Sequence, residues 1–396
     1  MRTIGKRSAF LLAFVLAFAA GLIFFLYEYV VDGADWAMQP YNNHLTAGTT
    51  ALVNGKVTDR NGTVLLNVEN GQRTYAESEE MREATLHVVG DEGGNISTGV
   101  QSAFKSQLTG YNLLTGLADL HTEKSGGDIQ LTIDADLNQL AYEDFAGRDG
   151  AAILTNWKTG EILCMVSMPT FDPANPPSDI ETNDDYTGVY VNKVLSGQLT
   201  PGSVFKLFTT AAAIENLPDL DSMTFHCTGS ETFNGNEVTD VSAHGTLSFR
   251  DALAHSCNVA FAELAVQIGA DKMTSTVQSM GLLDPFEIDS IQVAAGNYDV
   301  AGASEDRLAW SGVGQDKDLV NPAYMARLMG AIANGGVPEK LHFIQNATGD
   351  LGVGGTFGQT EDDERLLSES TANRLRDYMR YNVEGYYGDS TFPREN

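Results

Sequence analysis

The stretch Leu199-Thr200-Pro201-Gly202-Ser203-Val204-Phe205-Lys206 runs directly into the apolar segment Leu207 to Glu215, and the rest of the chain is read outward from it. Pro201 and Gly202 force a turn, and Ala211-Ala212-Ala213 has the propensity that lets a buried helix propagate from Ser203 onward. Residues three apart on a helix share a face, so Ser203 and Lys206 stand side by side within reach of one proton. The helix N-terminus adds positive potential where an oxyanion would form. The pattern predicts a serine nucleophile activated without a histidine.

Ser-x-x-Lys is a short pattern, and a second copy occurs at Ser102-Ala103-Phe104-Lys105, in a region with no other catalytic feature. The Ser203 copy differs in its setting. A turn precedes it, a buried helix follows it, and downstream lies Ser256-Cys257-Asn258, the single Ser-x-Asn triplet of the chain. Ser256 and Asn258 are two apart and diverge on a continuous helix, so they converge on one site only if the helix breaks there. Ser248-Phe249-Arg250-Asp251 resembles a capping box, and helical periodicity resumes from Val259 to Ile268. A helix, short loop, helix unit is expected.

The chain of 396 residues is long enough for two or three domains, and its 42% hydrophobic content supports a sizeable core. A net charge of −29 without any Lys/Arg cluster argues against a nucleic-acid partner. Ala9 to Tyr27 is an almost unbroken apolar run, preceded by Arg2, Lys6 and Arg7 and followed by the interface-suited Tyr27, Tyr29 and Trp36. Ala34-Asp35-Trp36-Ala37 is a poor match to a cleavage site, so a retained anchor with its N-terminus inside is expected. The three cysteines, Cys164, Cys227 and Cys257, include no Cys-x-x-Cys pair, so neither a disulfide framework nor a zinc site is expected. The seven histidines lack ligand-like spacing, so no metal and no cofactor is expected, and His255 is given a structural role.

Asp32 to about Asp128 reads as a β-rich spacer, with Val57 to Arg60 and Thr63 to Leu66 flanking the hairpin signal Asn61-Gly62. Near Gly126-Gly127 the character changes. Ile129 to Ile133 alternates as a strand, and Asp134 caps a helix with Leu137, Leu140, Ala141 and Phe145 on its apolar side. Ala151 to Leu154 and Ile162 to Met165 form a hairpin around Lys158-Thr159-Gly160, a triplet that is catalytic in some Ser-x-x-Lys enzymes but reads here as a turn. Trp310 to Gln315 is a Gly-rich turn without a phosphate-loop context, Asn321-Pro322 starts a helix ending at Gly335-Gly336, and a last helix runs from Ser370 to Val383, ended by Gly385.

Taken together, these residues make the sequence resemble a class B penicillin-binding protein, a membrane-anchored peptidoglycan transpeptidase. Pro201-Gly202-Ser203-Val204-Phe205-Lys206 and Ser256-Cys257-Asn258 resemble its first two catalytic motifs. Asp59-Arg60-Asn61-Gly62, Leu131-Thr132-Ile133-Asp134, Lys158 to Leu163, Gly314-Gln315 and Ala331 to Gly336 resemble its other landmarks. The resemblance implies an α+β chain: anchor over 1–31, β-rich pedestal over 32–128, and over 129–396 a transpeptidase domain of antiparallel sheet flanked by helices. It implies Ser203 as nucleophile, Lys206 as base, Ser256 as proton relay and Asn258 as the residue that holds the substrate amide and positions Lys206. The implied partners are stem peptides ending D-Ala-D-Ala, β-lactams, the membrane and a membrane glycosyltransferase of the wall-synthesis machinery.

Asp316 and Asn54 depart from the pattern, where a Gly and an Arg are usual, at positions expected to lie away from the chemistry. The third motif, a Lys-Thr-Gly strand, does not follow Tyr387 to Pro393, and the expectation is that the sequence is C-terminally incomplete. The alternatives are a catalytically inactive wall-synthesis scaffold and a β-lactam-sensing or β-lactam-hydrolysing domain. A role in elongation, division or sporulation is left open.

Overall fold

The computed structural model describes residues 2–31, 54–69, 72–109, 111–112, 116–117, 127–348, 357–388 and 391. The expectations for Ala34 to Ala37 lie outside the described residues, as does most of Asp389 to Pro393. Helix Arg2–Val31 carries a span, Phe10–Tyr29, of mean hydropathy 2.6, which by length and composition fits a membrane crossing.

The chain forms two compact units that interleave in sequence. The first comprises Met1–Gln139, Thr170–Asn183 and Ile344–Gly358. Its sheet has the strand order Ile344–Thr348, Asp128–Leu131, Asn54–Thr58, Val64–Glu69, Gln72–Tyr75. Asn54–Thr58 runs parallel to Asp128–Leu131, and the other neighbours are antiparallel. The expected Asn61-Gly62 turn joins two of these strands, and its geometry is fixed by Asp59. That buried carboxylate accepts from the backbone N–H of Asn61 (2.9 Å) and Thr63 (2.7 Å) with Oδ1, and from Ala135 N–H (3.2 Å) with Oδ2. Asp134 caps helix Ala135–Phe145 as expected, its Oδ1 accepting from the amides of Asp136 and Leu137. The buried face of that helix is not the expected one. Leu140 is 56% exposed, while Asn138 is fully buried because its amide donates to the carbonyl of Ala84 at 3.1 Å. Thr170–Asn183 is tied into this unit by a two-pronged bond from Arg82 to Asp172, at 2.7 and 2.8 Å, and this bond holds the Asp172 carboxyl below its usual range.

The second unit comprises Leu140–Pro169, Asp184–Phe343 and Gln359–Asn396, and mixes antiparallel pairs with flanking helices in the expected α+β manner. Strands Gly150–Thr155 and Ile162–Met168 form the predicted hairpin, and Lys158-Thr159-Gly160 sits in its turn, where the amides of Thr159 and Gly160 both donate to Asn156 O. Helix Lys206–Asn216 is central. Its Phe208, Ala211, Ala212 and Ala213 are fully buried against Phe261 and Leu264 of helix Asn258–Ile268, and Tyr324 and Leu328 of helix Pro322–Ala333. Three successive alanines leave room for neighbouring helices to approach, and the aromatics fill what remains: Phe205 stacks on Phe208 (4.7 Å between centroids) and Tyr298 (5.3 Å). The last helix, Glu369–Tyr381, is capped by Ser368 and does not end at Gly385. It widens into a π-helical stretch over Asn382–Tyr387 and closes at Gly388.

Candidate active site

Ser203 lies in a single 3-10 turn, Gly202–Phe205, and the α-helix begins only at Lys206. The tight turn leaves Ser203 exposed and Lys206 1% exposed, so the hydroxyl faces solvent while the amine beside it is buried. Two backbone junctions brace the turn. Leu199 and Val320 exchange amide bonds of 2.9 and 2.8 Å, and Gly202 N–H donates to Gly314 O at 2.9 Å. Gly314 has φ 81°, and a Cβ there would lie 2.0 Å from Gly202 O, so only glycine permits this approach.

The expected helix break is present. Helix Phe249–Ala254 begins at Ser248, whose hydroxyl accepts from Asp251 N–H at 3.2 Å. It ends in a paired cap: Cys257 N–H donates to Ala252 O and Ser256 N–H to Leu253 O. Such a cap needs one left-handed residue, and that residue is Ser256, with φ 55°. Cys257 then caps helix Asn258–Ile268, its Sγ accepting from Ala260 N–H at 3.5 Å. The reversal turns the Ser256 and Asn258 side chains toward Lys206.

All four residues singled out in the sequence meet at one nitrogen. Lys206 Nζ lies 3.2 Å from Ser203 Oγ, 3.0 Å from Ser256 Oγ, 2.6 Å from Ser256 O and 2.7 Å from Asn258 Oδ1. The last two are carbonyl oxygens and can only accept. A neutral amine has two N–H donors and one lone pair, so donors spent on the two carbonyls leave the lone pair for a serine hydroxyl proton. Burial favours that neutral form, lowering the Lys206 pKa to about 8 against the opposing pull of the Asp240 carboxylate. The copy at Ser102 has no such assembly, since its buried Oγ has no hydrogen-bond partner.

Asn258 is itself anchored: its side-chain amide donates to Thr239 O (3.0 Å) and its backbone N–H to Asp240 Oδ2 (2.7 Å). Asp240 belongs to a group that the sequence reading missed. Cys227 and Cys257, read from their spacing as suggesting neither a disulfide framework nor a zinc site, converge with Asp240 and His244 on one point from four places in the chain. The available signal was the cysteine inside the Ser-x-Asn triplet, together with Asp240 and His244 four residues apart. His255 packs between the rings of His244 (5.1 Å) and Tyr386 (4.4 Å). Asp316, expected to lie away from the chemistry, is two residues beyond the glycine that braces Ser203. It takes φ 70°, a conformation glycine favours and aspartate tolerates, and it pairs with Arg307 at 2.7 Å.

Residues 150–395 match the family described as penicillin binding protein transpeptidase domain. The chain is similar to the peptidoglycan D,D-transpeptidase PbpA of Mycolicibacterium smegmatis, with 30% identity over 72% of this chain and 63% of the relative. It is also similar to PbpA of Mycobacterium tuberculosis, with 29% identity over 66% of this chain and 58% of the relative. The chain thus spans less than two thirds of the length of either. In fold it is similar to penicillin-binding protein A from M. tuberculosis, solved as an imipenem acyl-enzyme complex, with a TM-score of 0.73 at 22% identity over 87% of this chain and 85% of that one. With the family matched across more than half the chain, and the expected residues gathered around Lys206, the chain belongs to the class B penicillin-binding proteins and carries their transpeptidase domain.

Proposed function

We propose that this chain serves peptidoglycan D,D-transpeptidation, an acyl transfer from stem peptides ending D-Ala-D-Ala through an ester on Ser203. The observation that carries the reading is the position of Lys206 Nζ, 3.2 Å from Ser203 Oγ with two carbonyl acceptors on its other side. Ser203 Oγ attacks the carbonyl carbon of the penultimate D-Ala while its proton passes to Lys206 Nζ. The bond to the terminal D-Ala breaks, and the leaving nitrogen takes its proton by way of Ser256 Oγ. Asn258 orients both the substrate amide and Lys206. An amine from a neighbouring strand then attacks the ester, releasing Ser203 and closing the cross-link; water in its place gives the carboxypeptidase side reaction. A β-lactam enters the same first step, and because its leaving nitrogen stays tethered after ring opening, the ester persists.

The same reading assigns 1–31 to a cytoplasmic tip and single-pass anchor, 32–128 to a non-catalytic pedestal and 129–396 to the transpeptidase domain. The apolar span Phe10–Tyr29, with Arg2, Lys6 and Arg7 before it, supports an N-terminus on the cytoplasmic side. Substrate strands come from a glycan polymerase, so a membrane glycosyltransferase is the proposed partner.

The test is covalent labelling of the intact protein by a fluorescent penicillin. Labelling is expected in the wild type and absent in Ser203→Ala. Labelling that survives Ser203→Ala would overturn the assignment of the nucleophile.

A further inference from the structure

The C-terminal helix grips the helix that leads into Ser256 at three places, each through a tyrosine. Tyr378 meets Phe249 edge to face, with ring centroids 5.1 Å apart. Tyr381 donates its hydroxyl to Asp251 Oδ1 at 2.8 Å, and the Arg250 guanidinium lies 4.8 Å from the centre of the Tyr381 ring. Tyr386 shares a hydrogen bond with His255 Nδ1 at 3.3 Å, and their ring centroids are 4.4 Å apart. The contacts follow helix Phe249–Ala254 from its first residue to its cap, His255, and Ser256 comes next.

The third contact depends on the π-helical stretch over Asn382–Tyr387. In continuous α-geometry residues three and four apart share a face, so the residue to follow Tyr378 and Tyr381 on that face would be Gly385. Bonding between residues five apart, as in Gly388 N–H to Val383 O at 2.8 Å, brings Tyr386 onto the face of Tyr381 instead. Gly385 has to be small for this, since a Cβ there would lie 2.6 Å from the Tyr381 ring. Such stretches are rare and concentrate at functional sites. Here the change of register delivers one tyrosine to the residue before Ser256.

We propose that Tyr386 is a positioning residue for Ser256: by clasping His255 it holds the left-handed turn that aims Ser256 at Lys206. A serine at φ 55° is strained, and such a conformation persists only where its surroundings fix it. From within, the turn is fixed by Ser256 N–H to Leu253 O at 3.0 Å and Cys257 N–H to Ala252 O at 2.9 Å. From outside, it is fixed by His255, held between the rings of His244 and Tyr386. Both Ser256 Oγ and Ser256 O bond to Lys206 Nζ, so a drift of the turn moves the amine that faces Ser203. Tyr386 is itself 44% exposed, so its ring belongs to this clasp rather than to the hydrophobic core. The inference rests on the acyl transfer proposed through Ser203, in which Ser256 passes on a proton.

The test compares Tyr386→Ala, Tyr386→Phe and Val383→Ala in the full chain in detergent, by amide hydrogen exchange and by the rate of labelling with a fluorescent penicillin. In Tyr386→Ala the amides of Ser256 and Cys257 should exchange about tenfold faster, as for the loss of one hydrogen bond, while amides elsewhere keep their rates. The maximal rate of acylation should fall toward the ~100-fold loss that a displacement of about 1 Å can cost, with the penicillin concentration for half-maximal rate little changed. Tyr386→Phe keeps the ring contact and should recover most of that rate, and Val383→Ala, on the same stretch, should match the wild type in both measurements. In a Ser256→Gly background, Tyr386→Ala should slow labelling by a smaller factor than it does alone. Unchanged exchange at Ser256 and Cys257 in Tyr386→Ala would overturn the inference, and so would equal slowing in the two backgrounds. A wild type that takes no penicillin would count against the acyl transfer alone, because the exchange rates still decide the clasp.

Discussion

Lys206 Nζ reaches the backbone carbonyl of Ser256 at 2.6 Å because Ser256 holds a left-handed φ of 55°. The same backbone reversal that ends one helix therefore supplies the Lys206 amine with an acceptor that cannot donate back. Together with Asn258 Oδ1 at 2.7 Å, it directs the amine's hydrogens away from Ser203.

Acylation should depend on pH through one group. Protonated Lys206 cannot take the Ser203 proton, and burial lowers its pKa to about 8. The rate of acylation by a penicillin should therefore climb about tenfold per pH unit on the acid side and level off above the pKa. Stopped-flow or gel-based labelling across this range checks it. A rate that does not change on the acid side would exclude Lys206 as the base.

Ser256 separates backbone geometry from chemistry. Ser256→Gly and Ser256→Ala both remove the hydroxyl and should slow labelling alike. They should differ in stability, because glycine adopts the left-handed conformation freely whereas alanine keeps the strain. Ser256→Gly is expected to exceed Ser256→Ala by about 1 kcal/mol in thermal or urea unfolding. Equal midpoints would mean that the turn relaxes when the hydroxyl is lost.

Gly314→Ala should cost about 3 kcal/mol and slow labelling, because the new methyl would sit 2.0 Å from Gly202 O and 2.6 Å from the Phe205 Cβ, one residue from Ser203 and within the aromatic stack. Gly302 is the matched control. It has a positive φ of 65°, but an added methyl would meet nothing within 4 Å, so Gly302→Ala should cost only about 1 kcal/mol and leave labelling unchanged.

The site was legible because its parts are local. Ser203 and Lys206 are related by helical spacing, and the Ser248 cap with resumed periodicity after Val259 required a break where Ser256 and Asn258 needed one. Turn chemistry likewise placed Asn61-Gly62 and the Lys158-Thr159-Gly160 hairpin. What escaped depends on long-range pairing. Asn138 is buried by a bond to a carbonyl distant in sequence, Ala84, which no apolar periodicity predicts. The pairing of Asp128–Leu131 with Ile344–Thr348 joins segments separated by most of the second unit. The Cys227, Asp240, His244 and Cys257 group carries no short motif, because its members come from strand ends and a helix cap rather than from one element. Gly314 was noticed as a landmark, but its purpose emerges only when Gly202 is seen against it.

Asp59 joins structures that the sequence keeps far apart. One carboxylate holds the amides of a hairpin turn, at Asn61 and Thr63, and the first amide of the helix that begins at Ala135. The turn and the helix start therefore share a single anion, and opening either one leaves a buried charge short of donors. Amide hydrogen exchange at the three positions becomes one cooperative event, so residues more than seventy apart in the chain melt as a unit.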